Sequence, residues 1–188
     1  MILVDMNQVT ISNLMVQISQ SKTKSVDENL VRHMVLNSLR GYRTKFGEAF
    51  GELVLTYDSK KYWRRDYFPE YKHSRRKGRT TDDKDWDAIF ECLNNIKDEV
   101  KIHMPYKSVE VYGAEADDVI ATLCSEYAEE IMILSGDKDF IQLQKFPNVK
   151  QYSPITKKMI DGQNPVTYLQ EHIFKGDTSD GVPNVLSP

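Results

Sequence analysis

The sequence is poor in cysteine: Cys92 and Cys124 are the only two among 188 residues. Both fall in apolar helical patterns and read as buried free thiols rather than a disulfide. No apolar run approaches the roughly 20 residues of a membrane span. Ile2-Leu3-Val4 is followed at once by Asp5, which is no signal-peptide core. Internal repeats and low-complexity segments are missing as well. These absences exclude secreted miniproteins, zinc ribbons and membrane proteins, and the expected location is the cytoplasm. The composition is that of an ordinary soluble protein, 40% hydrophobic and 28% charged, too apolar for disorder. The length suits one domain of common size, or one large domain with a fragment of another.

Net charge is −3, which by itself argues against a nucleic-acid partner, but the charge is uneven. Lys60 to Arg79 holds nine Lys/Arg against Asp66 and Glu70, a balance of +7, so the other 168 residues carry −10. Such separation suits a chain that holds a polyanion with one segment and a cation with another. A solvated charged loop explains the charge alone equally well.

Strand and helix patterns alternate. Apolar runs at Ile2–Asp5, Leu53–Tyr57 and Ile131–Leu134 read as strands, with further strands at Tyr106–Val111 and Val149–Tyr152. Helical spacing covers Gln8–Ser19, a helix capped by Asp27 and ended before Gly47, Asp85–Met104, Ala114–Glu130 and Pro165–Phe174. Trp86, Ile89, Phe90, Leu93, Ile96 and Val100 read as one core stripe, and Val119, Ile120, Leu123 and Tyr127 as another. The expected fold is α/β, a mostly parallel twisted sheet with helices on both faces, whose ligands bind outside the carboxyl ends of the strands.

Acids collect at those ends: Asp5, then Asp58, then Glu115, Asp117 and Asp118, then Asp137 and Asp139. Each has a bland local explanation. Asp5 caps the first helix, Asp58 starts a loop, Glu115, Asp117 and Asp118 complement a helix dipole, and Asp137 and Asp139 cap a short turn. All of them at one edge are harder to explain that way. Like charges 4 Å apart cost about 1 kcal/mol in water and about 4 at an effective dielectric near 20. Seven carboxylates in one cleft therefore require cations or extensive protonation. Oxygen donors without Cys or His nearby favour Mg²⁺ or Mn²⁺. Two such ions about 3.5–4 Å apart can activate a water against a phosphodiester. Basic residues then bind the backbone, and interleaved aromatics (Tyr62, Trp63, Tyr67, Phe68, Tyr71) offer faces to unpaired bases.

The segments YWRRDYFPEYKHSRRKGR (62–79), GAEADDVIA (113–121), SGDKDFIQL (135–143), FPNVKQYSP (146–154) and KGDTSDGVPN (175–184) occur in that order after Asp5 and Asp58. With them the chain resembles the flap-endonuclease and 5′-nuclease superfamily, most of all its T4-type bacteriophage RNase H branch, across essentially its whole length. The resemblance implies Mg²⁺ at two sites, with Mn²⁺ able to substitute. One set of ligands is Asp5, Asp58, Glu115, Asp117 and Asp118; the other is Asp137, Asp139, Asp177 and Asp180. It implies that residues of about 60–82 form an arch over the active site in a catalytic domain spanning 1–175. In that arch Tyr71, Lys72 and Arg75 match a YKxxR pattern, with Lys72 and Arg75 at the scissile phosphate. Arg64, Arg65, Arg76, Lys77 and Arg79 would bind backbone phosphates, although plain solvated charge also accounts for each. Asp5, Asp58 and Asp137 would be catalytic with Lys72 and Arg75.

The implied activity is 5′→3′ hydrolysis of RNA in RNA–DNA hybrids and of DNA duplexes, and cutting of 5′ flaps, as in primer removal during phage lagging-strand replication. The implied partners are DNA and RNA–DNA hybrids with a 5′ end or flap, a single-strand-binding protein and a sliding clamp, in the host cytoplasm and without a membrane. Residues 176–188 would open a helix-turn-helix-type duplex-binding element of which the sequence holds only the start, and a glycine usual near Asn184 is absent. Two other readings stay open: a PIN-domain ribonuclease cutting single strands, against which the basic segment counts, and a non-catalytic nucleic-acid-binding module on the same fold.

Overall fold

The structure, a computed structural model, describes residues 1–23, 25–80, 82 and 84–187, without the side chains of Arg76, Lys77 and Thr80. Its elements run β1 (Ile2–Asp5), α1 (Met6–Gln20), α2 (Glu28–Phe50), β2 (Leu53–Tyr57), α3 (Arg64–Tyr67), α4 (His73–Thr80), α5 (Trp86–His103) and β3 (Lys107–Glu110). After them come α6 (Ala116–Glu126), β4 (Ile131–Leu134), a 3₁₀ helix (Lys138–Lys145), β5 (Val149–Ser153), β6 (Lys158–Ile160) and α7 (Pro165–Lys175). The sheet order is β3-β2-β1-β4-β5-β6. The first five strands are mutually parallel, in registers such as Asp5↔Thr56 and Leu134↔Tyr152, and β6 is antiparallel to β5.

The central strands are buried at every position, because helices cover both faces and each side chain meets a core whichever way it points. Alternate residues divide between two cores. Ile2, Val4, Leu53, Leu55, Met132 and Leu134 pack against α1, α2 and α5, through residues such as Leu14, Val35, Leu39, Ile89 and Ile96. Leu3, Val54, Ile131 and Ile133 pack on the other face against Ile120 and Cys124 of α6 and Phe140 and Leu143 of the 3₁₀ helix. Cys92 and Cys124 are free and buried, as expected. Among the described residues no helix is long and apolar enough to cross a membrane.

The structure corrects four local expectations. Helix α2 does not end before Gly47; it continues to Phe50, and Gly51 at φ 84° closes it with its N–H on the Gly47 carbonyl. Phe46 extends the buried face, and this outweighs the roughly 1 kcal/mol that a helical glycine costs relative to Ala. Helix α6 stops at Glu126, so Tyr127 is half exposed rather than inward. The Asn148 side chain donates to the Tyr127 and Glu129 carbonyls and draws that stretch out of the helix. Phe90 is 38% exposed rather than core, and the Arg79 guanidinium lies 5.0 Å over its ring. Strand β6 was not anticipated: its KMI sequence has no alternation, and its place is set by a turn with Lys157 at φ 55°.

Candidate active site

Parallel strands bring their carboxyl ends to one edge, and three of them end there in acids. Asp5 closes β1 and caps α1, accepting from the Gln8 N–H at 3.0 Å with Oδ1 and from the Ser135 hydroxyl at 3.0 Å with Oδ2. Ser135 follows β4, so this contact spans β1 and β4, where the order of connection reverses and parallel sheets open a crevice. Asp58, after β2, accepts from the N–H of Ala116 at the start of α6, at 2.7 Å. Asp117 sits on the same helical turn. Asp137, after β4, is fixed through its backbone: its N–H donates to Ser135 Oγ at 3.1 Å and its carbonyl accepts from the Gln151 amide at 2.6 Å. Its carboxylate accepts from the Asp139 N–H at 2.9 Å. Asp5, Asp58 and Asp137 thus bind backbone N–H groups, as the local explanation holds, and also stand at the common edge. The two readings are compatible.

Seven of the expected acids, Asp5, Asp58, Asp117, Asp137, Asp139, Asp177 and Asp180, border one cleft of about 400 Å³ with Lys72 and Arg75. The carboxyl of Asp117 is pushed up to about 8, first by burial and then by Asp5, Asp137 and Asp58. Asp5 is pushed up to about 6 by burial, against the hydrogen bonds from Gln8 and Ser135. Burial also raises Asp58 and Asp139. The Asp117 carboxylate makes no hydrogen bond or ion pair among the described residues. An all-oxygen donor set whose own charge is frustrated fits a hard divalent cation held by Asp5, Asp58, Asp117 and Asp137.

Glu115 and Asp118, expected in the same set, face the basic segment. Glu115 is 1% exposed and receives Lys72 Nζ at 2.8 Å, the Tyr71 hydroxyl at 3.0 Å and Arg64 at 2.9 Å. Asp118 binds both terminal nitrogens of Arg64 at 2.8 Å and Trp63 Nε1 at 3.2 Å. Burial pushes Asp118 up, but Arg64 outweighs it and holds this carboxyl below its usual value. The two acids also cap α6 reciprocally.

Arg64 is thus turned inward onto carboxylates, and Tyr71 is buried with its hydroxyl engaged, rather than both facing a ligand. Lys72 adopts φ 57°, a left-handed conformation uncommon for a side-chain-bearing residue, and its N–H donates to the Asp180 carbonyl at 2.9 Å. That kink brings its ammonium to the cleft. Arg75 pairs with Asp180. Arg65 lies 4.6 Å over the Tyr62 ring, and Arg79 5.2 Å over Trp86, both exposed. The side chains of Arg76 and Lys77 lie outside the described residues.

The loop after α7 carries Asp177 and Asp180. Gly176, at φ 66°, lets the chain turn where a Cβ would meet the Pro183 backbone at 2.5 Å. Asp177 Oδ1 then accepts from the Ser179 and Asp180 N–H groups at 2.7 and 3.1 Å. The expectation of a site without histidine fails here. His172, on the last turn of α7, places Nε2 3.3 Å from Asp139 and 3.8 Å from Asp177. Sequence reasoning also missed Ser135, Gln8 and Gln151, which position Asp5, Gly136 and Asp137. Gln8 and Ser135 stand next to the acidic positions in sequence, whereas Gln151 lies on β5, within the 146–154 segment.

A family model described as the 5′–3′ exonuclease N-terminal, resolvase-like domain matches residues 1–173. The chain is 37% identical to Ribonuclease H of Enterobacteria phage T4 over 97% of its own length and 62% of that protein. It is 31% identical to a 5′–3′ exonuclease of Buchnera aphidicola over 71% of itself and 48% of that protein. The chain therefore spans less than two thirds of the length of either relative. In fold it matches the bacteriophage T5 flap endonuclease solved in complex with DNA and metal ions, with TM-score 0.75 and 15% identity over 100% of this chain and 70% of that one. The chain belongs to the 5′–3′ exonuclease family and carries its N-terminal, resolvase-like domain.

Proposed function

We propose that the chain is a metal-dependent 5′ nuclease that hydrolyses phosphodiesters from the 5′ end of RNA in RNA–DNA hybrids and of DNA duplexes, and cuts 5′ flaps. The observation that carries this reading is the cleft of seven aspartates with Lys72 and Arg75 on its rim. The names of its relatives agree with it. Asp5, Asp58, Asp117 and Asp137 would hold Mg²⁺, with Mn²⁺ able to substitute, and Asp139, Asp177 and Asp180 form the adjoining second set. Bound there, the cations would activate a water and stabilise the leaving oxygen.

The chain's own residues do the rest. Ser135 and Gln8 hold Asp5 so that its carboxylate is pre-oriented, and Gln151 does the same for the Asp137 backbone. Lys72 presents a cation to the scissile phosphate, where negative charge grows in the transition state. Burial lowers the Lys72 ammonium but Glu115 outweighs it, so Lys72 stays charged. Arg75 contacts the same phosphate. Arg65, Arg76, Lys77 and Arg79 bind backbone phosphates along the strand. Residues 1–175 act as the catalytic domain, about 60–82 as its arch, and 176–188 as the opening of a duplex-binding element. By the same reading the enzyme removes RNA primers in phage replication, beside a single-strand-binding protein and a sliding clamp, in the host cytoplasm.

The test is cleavage of a 5′-labelled RNA–DNA hybrid by the chain in Mg²⁺ and in chelator. Short products released from the 5′ end only in Mg²⁺ are expected. Binding without cleavage in either condition would make the chain a nucleic-acid-binding module. Cleavage of circular single-stranded RNA would make it a PIN-type ribonuclease.

A further inference from the structure

The cleft of seven aspartates adjoins a second cavity, of about 390 Å³, between the basic segment, α1 and α5. Their linings differ. The loop after α7 borders the cleft through Asp177, Ser179 and Asp180 but does not reach the second cavity. That cavity gathers cations instead, and its Lys60, Arg65 and Arg79 have no ion pair among the described residues. In the nuclease reading the duplex lies on the loop side of the cut. A strand whose scissile phosphate is in the cleft then continues toward its 5′ end into the cationic cavity, where its next phosphate is neutralised. The sugar between those two phosphates must cross the boundary of the two cavities.

Among the described residues, those that border both cavities are the charged Asp58, Lys72 and Arg75, the aliphatic Ile11, and Asn7. Asn7 is the neutral hydrogen-bonding side chain of that set. It sits on the first turn of α1, half-buried, and its carboxamide makes no hydrogen bond among the described residues. The other neutral polar groups on this face of α1 are already bonded. Gln8 accepts from the Gly136 N–H, Thr10 donates to the Met6 carbonyl at 2.6 Å, and Ser12 donates to the Val9 carbonyl at 3.1 Å.

We propose that Asn7 reads the 2′-hydroxyl of the nucleotide immediately 5′ of the cut, so that the enzyme distinguishes ribose from deoxyribose at that one position. The 2′-hydroxyl is the group by which a protein tells RNA from DNA at a given site. A carboxamide carries both donors and an acceptor and can meet a hydroxyl either way round. The phosphates on either side are matched by cations, and a neutral amide between them suits an uncharged sugar. Ile11, one turn further on, offers the boundary only hydrocarbon. The inference rests on the nuclease reading and adds a sugar preference to it. One neutral hydrogen bond of this kind is expected to change affinity or rate about two- to tenfold.

The experiment uses 5′-flap substrates that are deoxyribose throughout except for one ribose, moved through the positions around the cut. Cleavage is followed under single turnover in Mg²⁺, and binding by competition in chelator, for the wild type and Asn7→Ala. The wild type should favour ribose immediately 5′ of the cut by about two- to tenfold and be indifferent to it elsewhere. In Asn7→Ala that ratio should fall to about one, whatever the absolute rate, a change that loss of stability alone does not produce. A 2′-fluoro sugar, which keeps a ribose-like pucker but is a poor hydrogen-bonding partner, should behave as deoxyribose. A wild-type ratio of about one, a ratio kept in Asn7→Ala, or a fluoro sugar as good as ribose would each overturn the proposal. The two readings fail separately: absence of cleavage in Mg²⁺ refutes the nuclease, while the binding ratio in chelator still decides the role of Asn7. Neither binding nor cleavage would remove both.

Discussion

Neutralising Asp117 should make the metal-free protein more stable, although it removes a group from the candidate active site. The Asp117 carboxyl, pushed up to about 8, keeps its proton in the folded chain, whereas the unfolded chain releases it near 3.8. Between those values the folded state binds more protons, so stability falls as pH rises, by about 1.4 kcal/mol per unit. The penalty is absent below 3.8 and complete above about 8. At pH 7 it amounts to about 4 kcal/mol on that slope. Water in the open cleft screens part of it, which leaves roughly 2 kcal/mol. Asp117→Asn carries no charge to frustrate. At about 2–4 °C per kcal/mol for a chain of this size, its melting temperature should exceed the wild type's by roughly 4–8 °C at pH 7 in chelator. The gain should vanish at pH 4. Saturating Mg²⁺ should reverse the order, since binding at a hundred times Kd stabilises the wild type by about 2.7 kcal/mol and the variant has lost a ligand. Scanning calorimetry at the two pH values, with and without Mg²⁺, decides the matter. An unchanged or lower melting temperature at pH 7, or a gain that persists at pH 4, would refute the account of the cleft as a frustrated cation site.

Other perturbations separate chemistry from architecture. Asp137→Asn should abolish cleavage while circular dichroism stays that of the wild type; retained activity would remove this acid from the mechanism. Lys72→Ala should lower kcat about 10²- to 10³-fold with little change in KM, as expected of a charge that acts in the transition state; a KM effect alone would make it an ordinary phosphate contact. Gly176→Ala drives a Cβ to within 2.5 Å of the Pro183 backbone, so the 177–182 loop must shift. Limited proteolysis should find that loop more open and cleavage impaired, whereas Gly41→Ala, with nothing within 4 Å on exposed helix, should stabilise by up to about 1 kcal/mol.

What the sequence made legible follows from where the determinants lie. Strands β1, β2 and β4 are apolar runs because both faces are covered, and each stands out against its flanks. Once they are parallel, the acids that follow them must share an edge, so the convergence of Asp5, Asp58, Asp117 and Asp137 needed no tertiary detail. The fate of Glu115 and Asp118 did. It depends on how the chain after β2 folds back, with the Trp63 N–H on the Gly113 carbonyl at 2.9 Å, which swings Arg64 onto both acids. No periodicity encodes that return. His172 was hidden for a similar reason: it meets Asp139 only because α7 packs against the 3₁₀ helix, a contact between elements far apart in the chain. Strand β6 has no buried stripe to betray it, since Lys158 and Met159 are both exposed.

The same geometry explains why an acidic protein carries one strongly basic segment. Its cations are not equivalent. Arg64 is spent on Glu115, a carboxylate almost without solvent, and on Asp118, whereas Lys72 pairs with Glu115 while its ammonium also borders the cleft. Stripping one partner from a buried ion pair costs about 3–5 kcal/mol, because the charge left behind is uncompensated. Glu115, with three donors already on its carboxylate, therefore anchors the segment to the start of α6. That anchor fixes the backbone at Lys72, whose left-handed turn and bond to Asp180 tie the segment to the loop after α7. Arg65 and Arg79 rest on aromatic faces in solvent and remain free for anions. The inward cations hold the cleft's wall in place and the outward ones extend its positive field, while the seven aspartates between them supply the oxygen donors that a divalent cation would take up.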